Sequence, residues 1–239
     1  MLQPKERLII ALDVDTAEQA LAHAEKLKEH AGVFKIGMQL YNSEGPEMVR
    51  RMNALGAKLF VDLKFHDIPN TVAAASRVMA RLGCSMFNVH AAGGKEMMKQ
   101  AAEASRDEAA KAGLPAPRVL AVTVLTSLAE QQVAQEMHSR LPLKDLVVEW
   151  AVMAKEAGID GVVASPQEIA AIRTACGPDF LIVTPGVRPA WADANDQKRV
   201  MTPREALDQG ADYMVIGRPV LKAADPVAAA GRIIQELEG

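Results

Sequence analysis

Asp62 and Lys64 stand two apart in the stretch Phe60-Val61-Asp62-Leu63-Lys64-Phe65-His66-Asp67-Ile68-Pro69-Asn70-Thr71. On a strand that spacing turns both charged side chains to one face, with Val61 and Leu63 on the other. Lys35, in a second aliphatic run, can add a further positive charge, giving a row of Lys35, Asp62, Lys64 and Asp67. Charges turned into a protein interior are costly unless paired. Flanking carboxylates would keep Lys64 protonated, which makes it a proton donor rather than a nucleophile. The plainer alternative is a structural ion-pair network.

A second constellation is Gly217-Arg218-Pro219, together with Gly186 and Arg188 in Thr184-Pro185-Gly186-Val187-Arg188. Glycine lets backbone N–H groups approach an anion, and arginine adds a two-pronged contact, so the pair of pairs reads as a phosphate grip. The alternative is that the glycines only permit tight turns. No His/Cys/carboxylate spacing suggests a metal site. His90 reads as a hydrogen-bonded structural histidine, Gly93-Gly94 as a turn, and Cys84 and Cys176 lack a nucleophile's context.

These residues lie at the ends of short aliphatic runs, which read as strands: 8–12, 33–36, 58–63, 86–90, 119–125, 161–164, 180–183 and 213–216. Between most of them lie helical patterns at 16–29, 46–55, 95–111, 143–157, 166–174, 203–209 and 226–238, several opening with Pro and closing before Gly. Thr16 is a candidate N-cap, with Gln19 at the capping-box position. Eight strand–helix units at a mean spacing of roughly 30 residues match a (β/α)₈ barrel. The alternative is a doubly wound open sheet. No linker or low-complexity stretch divides the chain, so residues 1–239 are expected to form a single domain of the TIM-barrel class. Two connections, 126–142 and 185–202, are longer than a simple link needs, which suggests function or small extra helices. In such a barrel the active site lies at the C-terminal ends of the strands, where Asp13, Lys35, Asp62, Lys64, Thr126, Arg188 and Arg218 would gather.

Composition narrows the classes. The 239 residues carry a net charge of -3, which argues against a nucleic-acid binder. No apolar run reaches the roughly 18 residues of a membrane span, and the N-terminal stretch does not read as a signal peptide. Two cysteines cannot make a disulfide framework and read as reduced, buried thiols, so a cytoplasmic protein is expected. Aromatic residues are only 4%, so the core must be built from Ala, Val, Ile, Leu and Met, as in parallel strands covered on both faces.

The stretch from Asp62 to Thr71 resembles the signature of the orotidine 5'-phosphate decarboxylase family. So do Ala11-Leu12-Asp13, Phe34-Lys35-Ile36-Gly37, Asn88-Val89-His90, Leu125-Thr126-Ser127, Thr184-Pro185-Gly186-Val187-Arg188, Asp196-Gln197-Lys198-Arg199 and Val215-Ile216-Gly217-Arg218. They follow the family's order from residue 11 to residue 218, and are most similar to its bacterial branch. The resemblance implies a (β/α)₈ homodimer that converts orotidine 5'-phosphate to UMP and CO₂, the last step of UMP biosynthesis, without metal or organic cofactor. It implies that Lys64 protonates C6 of the pyrimidine and that Asp62 lies beside the departing carboxylate. Asp67, Ile68 and Thr71 would serve the substrate site, with Asp67 and Thr71 reaching into the neighbouring subunit's site. Asp13 and Lys35 would contact the ribose, Thr126 the pyrimidine, and Arg188, Gln197, Gly217 and Arg218 the phosphate, Gln197 on a closing loop. The chain departs from the family's pattern after Arg188, reading Pro-Ala-Trp-Ala-Asp-Ala-Asn where relatives often carry glycine; this bears on how freely that loop closes. The nearest rival is a Mg²⁺-dependent sugar-phosphate enzyme of the same barrel group, which needs a carboxylate where Lys35 stands. A non-catalytic sensor of phosphorylated ligands is a rival of another class.

Overall fold

A computed structural model describes residues 2–192 and 201–239. Eight parallel strands close into a barrel in sequence order: β1 (Leu8–Ala11), β2 (Val33–Gly37), β3 (Leu59–Phe65), β4 (Met86–His90), β5 (Arg118–Val122), β6 (Gly161–Val163), β7 (Leu181–Pro185) and β8 (Tyr213–Ile216). β8 returns to β1 through Leu8↔Met214 and Ile10↔Ile216. The helices are α1 (Ala17–Leu27), α2 (Met38–Glu44), α3 (Pro46–Ala54), α4 (Pro69–Leu82), α5 (Gly94–Ala112), α6 (Glu130–Gln135), α7 (Leu143–Glu156), α8 (Ile169–Cys176), α9 (Pro203–Asp208), α10 (Arg218–Leu221) and α11 (Pro226–Glu238). Among the described residues no helix is long and apolar enough to cross a membrane.

The barrel is that read from the aliphatic runs, with differences that matter for the site. β3 continues to Phe65, so Lys64 belongs to the strand itself. β5 stops at Val122, which leaves Thr126 in a turn beyond it. Helices α2, α4 and α10 were not expected, and α6 falls inside the long 126–142 connection. α4 has a clear apolar stripe, with Val72, Ser76, Met79 and Ala80 buried, between Pro69 at its start and Gly83 in a left-handed turn at φ 71°. Thr16 caps α1 by accepting the Gln19 N–H, but the Gln19 carboxamide accepts from Asp15 rather than Thr16.

Alternation along the strands sorts the apolar side chains into two layers. Ile9, Ala11, Val33, Phe60, Met86, Leu120, Val183 and Val215 fill the barrel interior. Leu8, Ile10, Ile36, Val61, Phe87, Val89, Ala121, Ile182 and Met214 point outward and pack under the helices. This two-sided burial is why the strands read as unbroken aliphatic runs.

The N-terminal end of the barrel is closed by a repeated device. Ser85, Asp160 and Asp212 directly precede β4, β6 and β8. Their N–H groups donate to the carbonyls of Leu59, Val119 and Ile182 at 2.9, 3.0 and 2.9 Å. Their side chains accept the N–H of those same residues at 3.3, 2.8 and 2.8 Å. The matching position before β2 is Gly32, whose N–H donates to Leu8 at 3.1 Å. A Cβ there would lie 2.4 Å from the carbonyl oxygen of Glu6, because the 3₁₀ turn Pro4–Arg7 runs across this corner.

Candidate active site

At the opposite, C-terminal end, inward-facing positions change from apolar to charged. Ala11, Val33 and Phe60 give way, toward the ends of β1, β2 and β3, to Asp13, Lys35 and Asp62. Lys35 Nζ lies 3.0 Å from Asp13 Oδ1 and 3.6 Å from Asp62 Oδ2. Lys64 Nζ lies 2.7 Å from Asp62 Oδ1. Within the chain the alternating row is therefore Asp13–Lys35–Asp62–Lys64. Gly37 leaves room for it, since a Cβ there would lie 3.0 Å from Lys35 Nζ. The row opens from inside to outside: the Lys35 and Asp62 side chains are 10% and 15% exposed, Lys64 28% and Asp13 59%.

Asp62 is the electrostatic centre. Burial pushes its carboxyl up, but Lys35 and Lys64, with hydrogen bonds from Lys64 and Asn88, outweigh burial and hold it below the ordinary carboxylate value. With Asp62 ionised, the two carboxylates and two lysines of the row compensate one another, the condition under which buried ions are tolerated.

Lys64 reaches the row through an unusual backbone. Its φ is +54°, a left-handed conformation that costs a non-glycine residue about 1 kcal/mol. The pairing of β3 with β4 shifts at this point: Val61 pairs with Phe87, and Phe65 with Val89. Asp62, Leu63 and Lys64 thus stand opposite the single residue Asn88. Asn88 is buried, accepts the Lys64 N–H at 2.8 Å, and donates to Asp62 Oδ1 at 2.7 Å. Simple alternation placed Lys64 beside Asp62 but contained neither the bulge nor Asn88.

A pocket of 220 Å³ opens beside the row. Its floor is Phe60, Val122, Val163 and Val215, its charged wall Lys35, Asp62 and Lys64, and its rim includes Leu125, Thr126 and Pro185. It offers an apolar surface with the Lys64 ammonium in its wall. Gly217 borders the same end of the barrel, where a Cβ would lie 3.3 Å from Ala11 Cβ and 3.7 Å from Asp13 Oδ2. Arg218 follows at the exposed start of α10. Arg188 is buried; its N–H donates to Met201 at 2.9 Å, in line with the bridge between Val187 and Met201. Gly186 takes a left-handed φ of 78°. Gln197 lies outside the described residues. Trp191 packs on the outer core with the Arg232 guanidinium 4.4 Å over its ring, which ties it to α11.

Asp67, Ile68 and Thr71 do not join the row within the chain. Asp67 and Thr71 are exposed at the start of α4, and Asp67 accepts the Ile68 N–H at 2.6 Å. Ile68 is 67% exposed, unusual for an aliphatic side chain beside charged residues. His90 accepts the Ala92 N–H, stacks on His66 with ring centres 5.4 Å apart, and meets Trp150 edge-on. Burial, then His66 and Lys64, push the His90 imidazole below its ordinary pKa. Cys84 is buried, its thiol pushed up to about 12, and is inert as a nucleophile. Among the described residues no group of three or more His, Cys, Asp or Glu is placed to hold a metal ion.

Apolar barrel, charged mouth and an adjoining Gly/Arg rim define a (β/α)₈-barrel enzyme with its candidate site at the C-terminal ends of the strands. Residues 6–233 match the model of the orotidine 5'-phosphate decarboxylase / HUMPS family, and the chain belongs to that family. It is 62% identical over 238 residues to the orotidine 5'-phosphate decarboxylase of Syntrophomonas wolfei subsp. wolfei, covering 99% of this chain and 100% of that protein. It is 53% identical to the enzyme of the same name from Moorella thermoacetica, covering 99% and 94% of the two chains. The crystal structure of orotidine 5'-phosphate decarboxylase from Lactobacillus acidophilus superposes with a TM-score of 0.87 at 39% identity, covering 97% of this chain and 99% of that one.

Proposed function

We propose that this protein decarboxylates orotidine 5'-phosphate to UMP and CO₂. The observation that carries the reading is the row ending in Lys64 beside an apolar pocket, in a chain 62% identical to a protein of that name. Cleavage of the bond from C6 to the carboxylate leaves its electron pair on C6, with no carbonyl placed to delocalise it. Fixed charge must then stabilise the carbanion. The Lys64 ammonium, held by Asp62, supplies that charge and then delivers Nζ–H to C6. The resulting amine regains its proton from water. Asp62 would face the substrate carboxylate, and the apolar floor would take the pyrimidine, with Thr126 at its edge. Asp13 and Lys35 would hold the ribose. Arg188, Gly217, Arg218 and, from the undescribed segment, Gln197 would grip the phosphate, so that binding energy remote from C6 orients the reacting carbon.

Lys35 disfavours the Mg²⁺-dependent alternative: its ammonium already lies between Asp13 and Asp62, the carboxylates that would have to hold a cation. The reading predicts loss of orotidylate absorbance and matching CO₂ release by the purified protein, unchanged by a chelator. No turnover would overturn it; turnover that requires a divalent cation would move the chain to the alternative.

The same reading makes the working unit a homodimer. Asp67, Ile68 and Thr71, exposed at the edge of the mouth and with an uncovered aliphatic side chain among them, would complete the neighbouring subunit's site. Mixing inactive Asp67→Ala and Lys64→Ala proteins should restore about one quarter of wild-type activity at equal, random exchange, because half the molecules are heterodimers with one intact site in two. No recovery after verified subunit exchange would remove the sharing. Two buried free thiols fit a cytoplasmic setting.

A further inference from the structure

We infer that Asn88 is a positioning residue for the proton donor, its one carboxamide setting both the backbone of Lys64 and the carboxylate of Asp62. The inference rests on the decarboxylase reading above.

Asn88 sits mid-strand on β4, 1% exposed, facing the barrel interior. A buried carboxamide in an aliphatic strand carries a desolvation cost unless its polar atoms are matched. Here the matches are specific. Oδ1 accepts the Lys64 N–H at 2.8 Å, and Nδ2 donates to Asp62 Oδ1 at 2.7 Å. The same Asp62 oxygen receives Lys64 Nζ at 2.7 Å. The contacts close a ring running from the Asn88 carboxamide to the Lys64 backbone, out along the Lys64 side chain to Asp62, and back to Asn88. Turning the amide over would set N–H against N–H and oxygen against carboxylate, so only one orientation satisfies the ring.

The bulge explains why the ring is needed. Three residues of β3 stand opposite Asn88 alone, and the Lys64 N–H bonds to its side chain in the bulge. The left-handed backbone at Lys64, φ +54°, persists only where its surroundings hold it. Asn88 supplies that hold and at the same time fixes the carboxylate against which the ammonium rests. Leucine matches its size without either bond; aspartate keeps the acceptor for Lys64 but turns a second carboxylate toward Asp62.

The test compares kcat and KM for orotidine 5'-phosphate, UMP affinity and pH profiles of wild type, Asn88→Ala and Asn88→Asp. With the donor displaced by an ångström or less, Asn88→Ala should lose about a hundredfold in kcat. Its KM and UMP affinity should stay within about threefold of wild type. In Asn88→Asp the charged groups facing the new carboxylate are Asp62 and Lys64 on β3, with Lys35 on β2 behind them and His90 next along β4; β5 presents Leu120. Two carboxylates sharing one site hold a proton between them more tightly than either alone. That proton can restore the donor to Asp62, so activity should recover toward acid and fall on a new ionisation as pH rises. A purely structural role would lower melting temperature without that limb. A folded Asn88→Ala with kcat within threefold of wild type would overturn the inference, as would an Asn88→Asp profile parallel to wild type. Failure of both variants to fold would assign Asn88 to the fold alone. Absence of wild-type turnover would instead strike the decarboxylase reading.

Discussion

Both ends of the barrel are rich in charge, and they use it in opposite ways. At the N-terminal end the charged groups bond mainly to backbone. Asp212 takes the Ile182 N–H and Arg173, while Arg173 donates to the carbonyls of Gly177, Phe180 and Gly210 at 2.8, 2.8 and 2.6 Å. Asp160 takes the Val119 N–H, and Arg106 donates to the Gly158 carbonyl. At the C-terminal end charged side chains meet mainly one another and a pocket: Asp13, Lys35, Asp62 and Lys64 form a row whose last ammonium lines open space. Charge matched to fixed backbone dipoles closes strand ends. Charge matched to charge beside a cavity leaves capacity for a ligand. The division agrees with the usual partition of a (β/α)₈ barrel into a stability face and a catalytic face.

The widest separation should come from one lysine and one arginine. Lys64→Ala should reduce kcat by about 10⁴-fold or more, since proton donation and electrostatic stabilisation are lost together. Its stability should change by only about 1 kcal/mol, because Asp62 keeps Lys35 and Asn88. Urea unfolding beside single-turnover kinetics measures both; near-normal kcat would sink the role. Arg173→Ala should do the reverse. It frees the backbone carbonyls of Gly177, Pro178, Phe180 and Gly210 and leaves Asp212 without its cation, a loss of about 3 kcal/mol in unfolding free energy. The kcat of the folded protein should stay within about twofold. A large kcat loss in Arg173→Ala would erase the contrast between the two ends.

The barrel was legible because two-sided burial writes each strand as an aliphatic run, and each of the eight runs overlaps a strand. Asp62 and Lys64 were legible as a pair because alternation carries across one strand. What escaped are properties of two segments at once. The bulge is a register shift between β3 and β4, and nothing local to Lys64 announces its left-handed φ. Asn88 carried a faint signal as an amide in an aliphatic strand, but its partners lie 24 and 26 positions away. Asp160 and Asp212 read as ordinary residues before strands until the neighbouring strand is in place. Helix α4 was detectable from its Pro69 and Gly83 punctuation and from the helical spacing of Val72, Met79 and Ala80, yet it is absent from the helical patterns read between the strands.

A smaller effect tests the rim of the mouth. If Arg218 meets phosphate, Arg218→Ala removes a charge-assisted contact worth about 2 kcal/mol. UMP should then bind about 30-fold more weakly, with uridine affinity unchanged. Equal losses for nucleotide and nucleoside, measured by calorimetry, would detach Arg218 from the phosphate.

The smallest effect is electrical and asks whether the mouth is one connected field. The His90 imidazole is held below its ordinary value of 6.5, first by burial, then by His66 and by Lys64. Its depressed folded pKa means that the unfolded chain takes up a proton which the folded protein resists. Stability from neutral His90 is therefore full above the unfolded value, and declines as pH falls through that value toward the folded one. Removing the Lys64 charge removes one of the three causes and leaves burial and His66 in place. In Lys64→Ala the His90 midpoint, followed by NMR titration, should move up toward 6.5, and the decline in stability on acidification should become shallower. In Arg173→Ala, at the other end of the barrel, the midpoint should stay where it is in wild type. An unmoved midpoint in Lys64→Ala would mean that water screens the ammonium before its field reaches His90, and that the charged row acts only through its direct contacts.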